Sequence, residues 1–495
     1  MVESCQLLDK SNSSQFTVEE AIDHIGFGKF QIKLVLICGL FSATDALEML
    51  LLSVLSPELR CEWKLEDWQV ASITTVVFIG MFFGSAVLGS YCDKLGRLPV
   101  MKLAAALILY FGLLTAACPN YWWILVIRGL VGFGFGGGIQ SFTLLCEYLP
   151  SKYRAKILTM YNIMWSSGAL FEIFMAYLII PTLGWRVLVI VSALPSLITL
   201  LTIWTLPESA RYLLSLGKTK EVLKVLEYIA KSNGSQVPRG TLIYNKKLVR
   251  GSFKDLFNKE YFRTTVQLMI VWFGVAFVYY GVILSQSEIL EMGGVCGEWK
   301  SKQEGCKCSR HHWSDYVSMI VATFGEFVVL PLNFLMVDKI GRRMTIASNF
   351  LIAGIFYLLV QICANVTLLT ALMFGVRTFI TGVFNTIYIY TGEVFPTTVR
   401  SFALGSCSAM GRIGCMITPF IAQVLMGFSL QLAIWLYGLL CILCAIVTYC
   451  LPIETRGREM PVSFAISKLF NFYMTPLTKT FSSNHTSADT SRGVP

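Results

Sequence analysis

The chain has 495 residues, of which 55% are hydrophobic and only 14% charged. Soluble globular domains carry about 25% charged residues, so this composition excludes a soluble enzyme and points to an integral membrane protein. The net charge of +10 is not read as a nucleic-acid footprint, because the basic residues gather in alternate loops rather than in one patch.

The first thirty residues are polar and acidic, without a basic start leading into a short apolar core, so no signal peptide is evident. Within them ESCQLL (3–8) resembles an acidic dileucine sorting signal, which a cytosolic adaptor would read. Twelve apolar segments follow, near 32–56, 68–91, 100–117, 121–145, 155–180, 186–206, 264–287, 314–336, 344–363, 366–391, 400–426 and 431–451. Each is long enough to cross about 30 Å of hydrocarbon as a helix. The fold class expected is therefore an all-α membrane protein with twelve transmembrane helices.

With the N-terminus in the cytosol, most of the 40 Lys and Arg residues fall on the cytosolic side, so both termini are expected there. Five parts follow: a cytosolic segment (1–31), a six-helix bundle (32–206), a cytosolic linker (207–263), a second six-helix bundle (264–451) and a cytosolic tail (452–495), largely disordered. In the linker, LGKTKEVLKVLEYIAK (216–231) sets Val222, Val225, Leu226 and Ile229 at helical spacing, which predicts an amphipathic helix packed under the bundle.

The two halves repeat. GSYCDKLGRLPVM (89–101) follows the second segment and FLMVDKIGRRM (334–344) the eighth, both containing D-K-x-G-R. EYLPSKYR (147–154) follows the fourth and EVFPTTVR (393–400) the tenth, both reading E-x-x-P-x-x-x-R. These motifs resemble the major facilitator superfamily across nearly the whole chain. Its signature G-x-x-x-D-[RK]-x-G-R-[RK] matches Gly89, Asp93, Lys94, Gly96 and Arg97, with Leu98 in place of the last base. The second copy keeps Asp338, Lys339, Gly341, Arg342 and Arg343, with Phe334 where the glycine belongs. DALEMLLLSVLSP, LPESARY, IYTGEVFPTTVR and LPIETRGR together look closest to the synaptic vesicle 2-related branch. The resemblance implies two latches at the cytosolic mouth: Gly89, Asp93, Gly96, Arg97, Glu147 and Arg154 in one half, and Asp338, Gly341, Arg342, Glu393 and Arg400 in the other.

Transporters built from repeats bind substrate near the bilayer midplane, between the halves. Buried charges are costly there and read as functional. Asp45 and Glu48 on the first helix, Glu172 on the fifth, Glu326 on the eighth and Arg412 on the eleventh lie at mid-depth, and all are expected to see the cavity. Four acids against one base suggests proton coupling, cation binding or both. Arg128 on the fourth helix opens RGLVGFGFGGG (128–138), which resembles the superfamily pattern associated with proton coupling. Registering the halves by E-x-x-P sets Phe374, not Arg377, opposite Arg128. The glycines Gly132, Gly134 and Gly136 mimic a dinucleotide loop but lie within a membrane helix, where close packing explains them. Tyr280, beside Tyr279, and Asn385, near Tyr388 and Tyr390, are candidate substrate contacts through ring faces and a neutral amide.

Cys61, Cys296, Cys306 and Cys308 fall in outward loops and are disulfide candidates. CKCSRHH (306–312) lacks paired ligand spacing, so no metal and no cofactor is expected. Sequons at Asn12, Asn233 and Asn484 fall on the cytosolic side, and Asn365 lies in a very short outward turn, so no glycan is expected. The function expected is secondary active transport of a small organic ion, a cation favoured, with protons as coupling partner. A neutral sugar is the runner-up, because PESAR and PIETRG resemble sugar-porter endings. A binding or trafficking protein with a transporter fold is the alternative of another class, and an enzyme is not expected. The bilayer expected is the plasma membrane or a cytoplasmic or secretory vesicle membrane.

Overall fold

The computed structural model describes residues 15–243, 253–292, 311–362, 365–396 and 399–456. Its helices are α1 (Val18–Ile25), α2 (Lys29–Trp63), α3 (Asp67–Leu95), α4 (Arg97–Ala116), α5 (Tyr121–Phe135), α6 (Ile139–Tyr148), α7 (Ser151–Leu183), α8 (Trp185–Ile203), α9 (Ala210–Ser215), α10 (Thr219–Asn233), α11 (Phe262–Glu291), α12 (Trp313–Ile340), α13 (Arg342–Leu359), α14 (Val366–Val394), α15 (Arg400–Pro419), α16 (Met426–Phe428) and α17 (Leu430–Tyr449). Among the described residues, 11 helices are long and apolar enough to cross a membrane, with α5 and α6 forming one span and α15 to α16 another. α13 is not among them. Its 18 residues begin with Arg342 and Arg343 and include Thr345, Ser348 and Asn349, which dilute its hydropathy below that of its neighbours.

The halves pack alike. In the first half α2 lies on α7, α3 on α5, α4 on α8 and α4 on α5; in the second, α11 lies on α15, α12 on α14, α13 on α17 and α13 on α14. Between the halves, α7 meets α12 and α3 meets α15, so the contacts exchange under a pseudo-twofold. The predicted fourth helix is interrupted at Gly136–Gly138, where consecutive glycines carry the highest entropic cost of helix formation. The predicted eleventh passes through a π-helical turn, Phe420–Leu425, directly after Pro419. Proline inside a helix lacks the donor for the ladder and displaces it.

α3 and α5 cross closely enough that a side chain at Gly132 would strike the Val77 carbonyl, and one at Gly84 the Phe133 carbonyl. Small residues are therefore used for backbone approach. At the end of the bundle carrying both D-K-x-G-R turns (the motif end), α1 and α10 form a shelf. Thr17 and Glu20 close a capping box on α1, which buries Val18, Ala21, Ile22 and Ile25 and packs on α10. α10 buries Val222, Leu226 and Ile229. A short strand, Gln15–Phe16, pairs in parallel with Thr241–Leu242. Asn233 joins shelf to bundle: its side chain donates to the carbonyl of Gly26 (3.3 Å) and to Gln31 (2.8 Å) and accepts from the Phe30 amide (3.0 Å).

Candidate functional site at the boundary between the halves

The buried charges separate into three groups at mid-depth. In the first half, Arg128 of α5 forms an ion pair and hydrogen bond with Glu48 of α2, the two side chains 1% and 2% exposed. The other Glu48 oxygen has no hydrogen-bond partner and lies beside Gly112 of α4. Glu172 of α7 is fully buried and accepts from the Ser192 hydroxyl of α8 at 2.8–2.9 Å. Glu48, Arg128 and Glu172 are electrostatic neighbours. They form an internal cluster of the first bundle, so Glu48 and Glu172 do not face the boundary as expected. Asp45 and Glu48 are about 60° apart around α2. That rotation suffices to aim one at α4 and α5 and the other at the second half.

The second group is Asp45 with Arg412. Both are partly accessible, and one Asp45 carboxyl oxygen is buried without a hydrogen-bond partner. Arg412 donates to the Ser85 hydroxyl of α3 at 2.6 Å. It is the opposite charge that acts on Asp45, yet the two make no ion pair within 4.0 Å. Aromatic side chains surround them. Tyr388 neighbours both charges and packs edge-on to Trp272, with ring centroids 4.6 Å apart. Tyr280 neighbours Asp45 and meets Phe78 of the first half at 4.9 Å. Asn385, one turn before Tyr388, holds a buried amide nitrogen without a partner.

Glu326 centres the third group. It accepts from Arg377 of α14 (2.9 Å), Tyr279 of α11 (3.2 Å) and, across the boundary, Ser166 of α7 (2.9 Å). Trp165 donates to the Tyr279 hydroxyl at 2.8 Å. The expected excess of acids over bases is therefore smaller than the sequence implied, since Glu48 and Glu326 each own an arginine. Arg377 was the missing base. Pairing it required only that a fully buried guanidinium must find a carboxylate.

At the end of the bundle remote from the motifs (the far end), a cluster unanticipated from sequence joins the halves. Arg60 of α2 donates to Glu291 at 2.7 Å and to both Glu288 oxygens at 3.1 and 3.2 Å, with all three side chains no more than 7% exposed. Asp67 stands 3.6 Å away. Ser287 donates to the Ser53 carbonyl (2.8 Å) and Gln423 to the Ser56 hydroxyl (3.1 Å). The only sequence signal was a base and two acids at the ends of apolar segments, where charges ordinarily mark loops. Cys61, next to Arg60, is disulfide-bonded; Cys296, Cys306 and Cys308 lie outside the described residues.

At the motif end each half holds its own network. Arg97 meets Glu147 at 3.4 Å, with exposed Asp93 at 4.0 Å; Arg342 meets Glu393 at 3.2 Å. Glu208 accepts from the Arg97 and Leu98 amides (3.0 and 3.2 Å), and Glu454 from the Arg342 and Arg343 amides (2.9 and 3.1 Å). Each caps a helix N-terminus with a carboxylate. Burial pushes the Glu208 carboxyl up, offset in part by these amides. Gly96 and Gly341 have φ of +102° and +89°, and a side chain at either would strike the capping carboxylate. Arg154 donates to the Leu149 carbonyl at 3.1 Å, Asp338 is exposed, Gly89 has open space beside it, and Arg400 opens α15. Among the described residues, hydrogen bonds joining the halves lie at mid-depth or toward the far end.

Known proteins resemble this chain in sequence and in fold. The family described as "Sugar (and other) transporter" matches residues 38–462. A synaptic vesicle 2-related protein of Xenopus laevis is 43% identical over 453 residues, covering 90% of this chain and 83% of its own. Human SVOPL, itself named only as a candidate transporter, is 41% identical over 457 residues, covering 90% of this chain and 93% of its own. The E. coli xylose transporter XylE, in a partially occluded inward-open conformation, aligns with a TM-score of 0.66 at 17% identity, over 87% of this chain and 99% of that one. That likeness establishes the fold, and the sequence relatives establish the kinship. The chain is a multi-pass membrane protein that belongs to the sugar (and other) transporter family of the major facilitator superfamily.

Proposed function

We propose that this transporter is a secondary one working by alternating access, that it moves an organic ion bearing a cationic group, and that it couples this movement to protons. The observation that carries the reading is the partnerless buried oxygen of Asp45, set beside Tyr280 and Tyr388 where the two halves meet, with Trp272 packed behind Tyr388. A buried acceptor without a partner is costly, and an ammonium group held against ring faces satisfies it. Glu48, sharing Arg128 with the nearby Glu172, is the proton-handling candidate, because two acids beside one base leave room for a proton.

Alternating access needs one end closed while the other opens. The Arg60 cluster supports closure at the far end, and the Arg97–Glu147 and Arg342–Glu393 networks supply latches at the motif end. In this reading α13 completes twelve spans in two six-helix bundles, the termini and the linker are cytosolic, and the far end faces outward or into a vesicle lumen. The dileucine at 3–8 would then be available to a sorting adaptor; it lies outside the described residues. A neutral sugar is the second reading, favoured by the unpartnered Asn385 amide, a neutral donor of the kind hydroxyl groups use.

Counterflow in proteoliposomes with labelled pools of organic cations, organic anions and sugars tests this. Accumulation of cations that is lost or made pH-insensitive by Asp45→Asn supports the proposal. Accumulation of sugars alone supports the second reading. No accumulation from these pools by folded protein excludes simple cations, simple anions and sugars and moves weight toward a substrate of another class or a binding or trafficking role.

A further inference from the structure

The mid-depth charges can be followed to their partners. Glu48 is held by Arg128 and Glu326 by Arg377, while Glu172 is enclosed against Ser192 within one bundle. Among the described residues this leaves Asp45 and Arg412 as the mid-depth charges at the boundary without an ion-pair partner within 4.0 Å. They belong to opposite halves. Each has spare hydrogen-bonding capacity: Asp45 an oxygen without a partner, and Arg412 the N–H groups beyond the one given to Ser85.

A simple cation seated on Asp45 would be repelled by Arg412, and a simple anion on Arg412 would be repelled by Asp45. A molecule with both charges satisfies both. We propose that the substrate is zwitterionic, with an ammonium group taken by Asp45, a carboxylate taken by Arg412 and the Asn385 amide, and an aromatic or apolar frame against Tyr280 and Tyr388. This rests on the transport reading above and narrows its substrate class. Because the two charged residues sit on different halves, such a substrate bridges them. Its binding energy is realised most fully when the halves close around it, which is the differential affinity a population shift requires. A singly charged substrate grips one half and leaves the other unengaged.

The test is counterflow by the full-length protein in proteoliposomes with three probes sharing one ring and side chain: tyrosine (zwitterion), tyramine (cation) and 3-(4-hydroxyphenyl)propionate (anion). The expected result is accumulation of tyrosine at least about tenfold above either singly charged probe. Arg412→Gln should move the preference toward tyramine and Asp45→Asn toward the propionate, each by about tenfold, while Arg412→Lys keeps the wild-type order. Monodispersity in detergent and thermal melting confirm that each variant is folded. Preference for tyramine in the wild type, unchanged by Arg412→Gln, would overturn the zwitterion while leaving the cation reading standing. Equal loss of all three probes in both variants would also overturn it, by making Asp45 and Arg412 structural. Movement of none of the three by folded wild-type protein would count against both readings.

Discussion

Arg60→Gln isolates the far-end closure. In the structure this guanidinium makes three hydrogen bonds to two carboxylates of the other half, all of them buried. Removing it deprives Glu288 and Glu291 of the guanidinium that holds them both, leaving His311 as the remaining basic neighbour of Glu291. Breaking a buried ion pair by removing one partner costs about 3–5 kcal/mol. When the far end opens, water reaches both carboxylates, so the cost falls on the closed conformer alone. At 1.4 kcal/mol per tenfold change, the equilibrium moves toward the open far end by roughly two to three and a half orders of magnitude. Ser56→Cys is a suitable reporter, since Ser56 is buried and accepts from Gln423 across the boundary. A membrane-impermeant maleimide applied from the far side should label it about a hundredfold or more faster once Arg60→Gln is added. Combining Arg60→Met with Glu288→Gln and Glu291→Gln removes the charges together and should restore most of the protection. Unchanged labelling in folded Arg60→Gln protein would refute the assignment of closure to this cluster.

Three further outcomes are expected. Asp45→Asn should melt close to wild type while losing counterflow or its pH dependence. Glu48→Gln should lower thermal stability as well, by up to about 3–5 kcal/mol, because it leaves Arg128 buried without its counter-charge; equal melting of the two variants would contradict their different surroundings. Gly132→Val should yield little monodisperse protein, since its side chain meets the Val77 carbonyl, whereas Gly89→Ala, with open space beside it, should be recovered at wild-type yield. Glu208→Ala and Glu454→Ala should each cost about 0.5–2 kcal/mol, the ordinary worth of a helix cap, read as similar shifts in melting; a large effect from one and none from the other would show that the two caps are not equivalent.

Hydropathy alone located most spans, because the bilayer's thickness and lack of water act on every residue of a helix at once. The loop motifs were legible for a different reason: they occur twice. Rotation was not legible. Asp45 and Glu48 share a depth, and both were expected at the boundary, yet about 60° of helix phase gives one to the interior of a bundle. Glu326 and Arg377 were visible singly, but their pairing depends on how α12 and α14 lie together, and internal registration pointed to Phe374. Arg60, Glu288 and Glu291 were hidden by position, since a charge at the end of an apolar run usually marks the water interface. The capping box of α1 was written in Thr17 and Glu20, in a segment read only as polar.

Glu208 and Glu454 each stand 61 residues after the E-x-x-P glutamate of their own half and do the same work on the same turn of backbone. The interior shows no such sameness: one half pairs its α5 arginine with a glutamate of α2, the other its α14 arginine with a glutamate of α12. The pattern is that of a duplicated ancestor whose ends were kept and whose middle diverged. A chimera made by joining two copies of residues 15–206 should therefore fail in a particular way. Its halves would meet with Ser166 on each side and Glu326 on neither, so this one of the mid-depth ties between the bundles would have no acceptor.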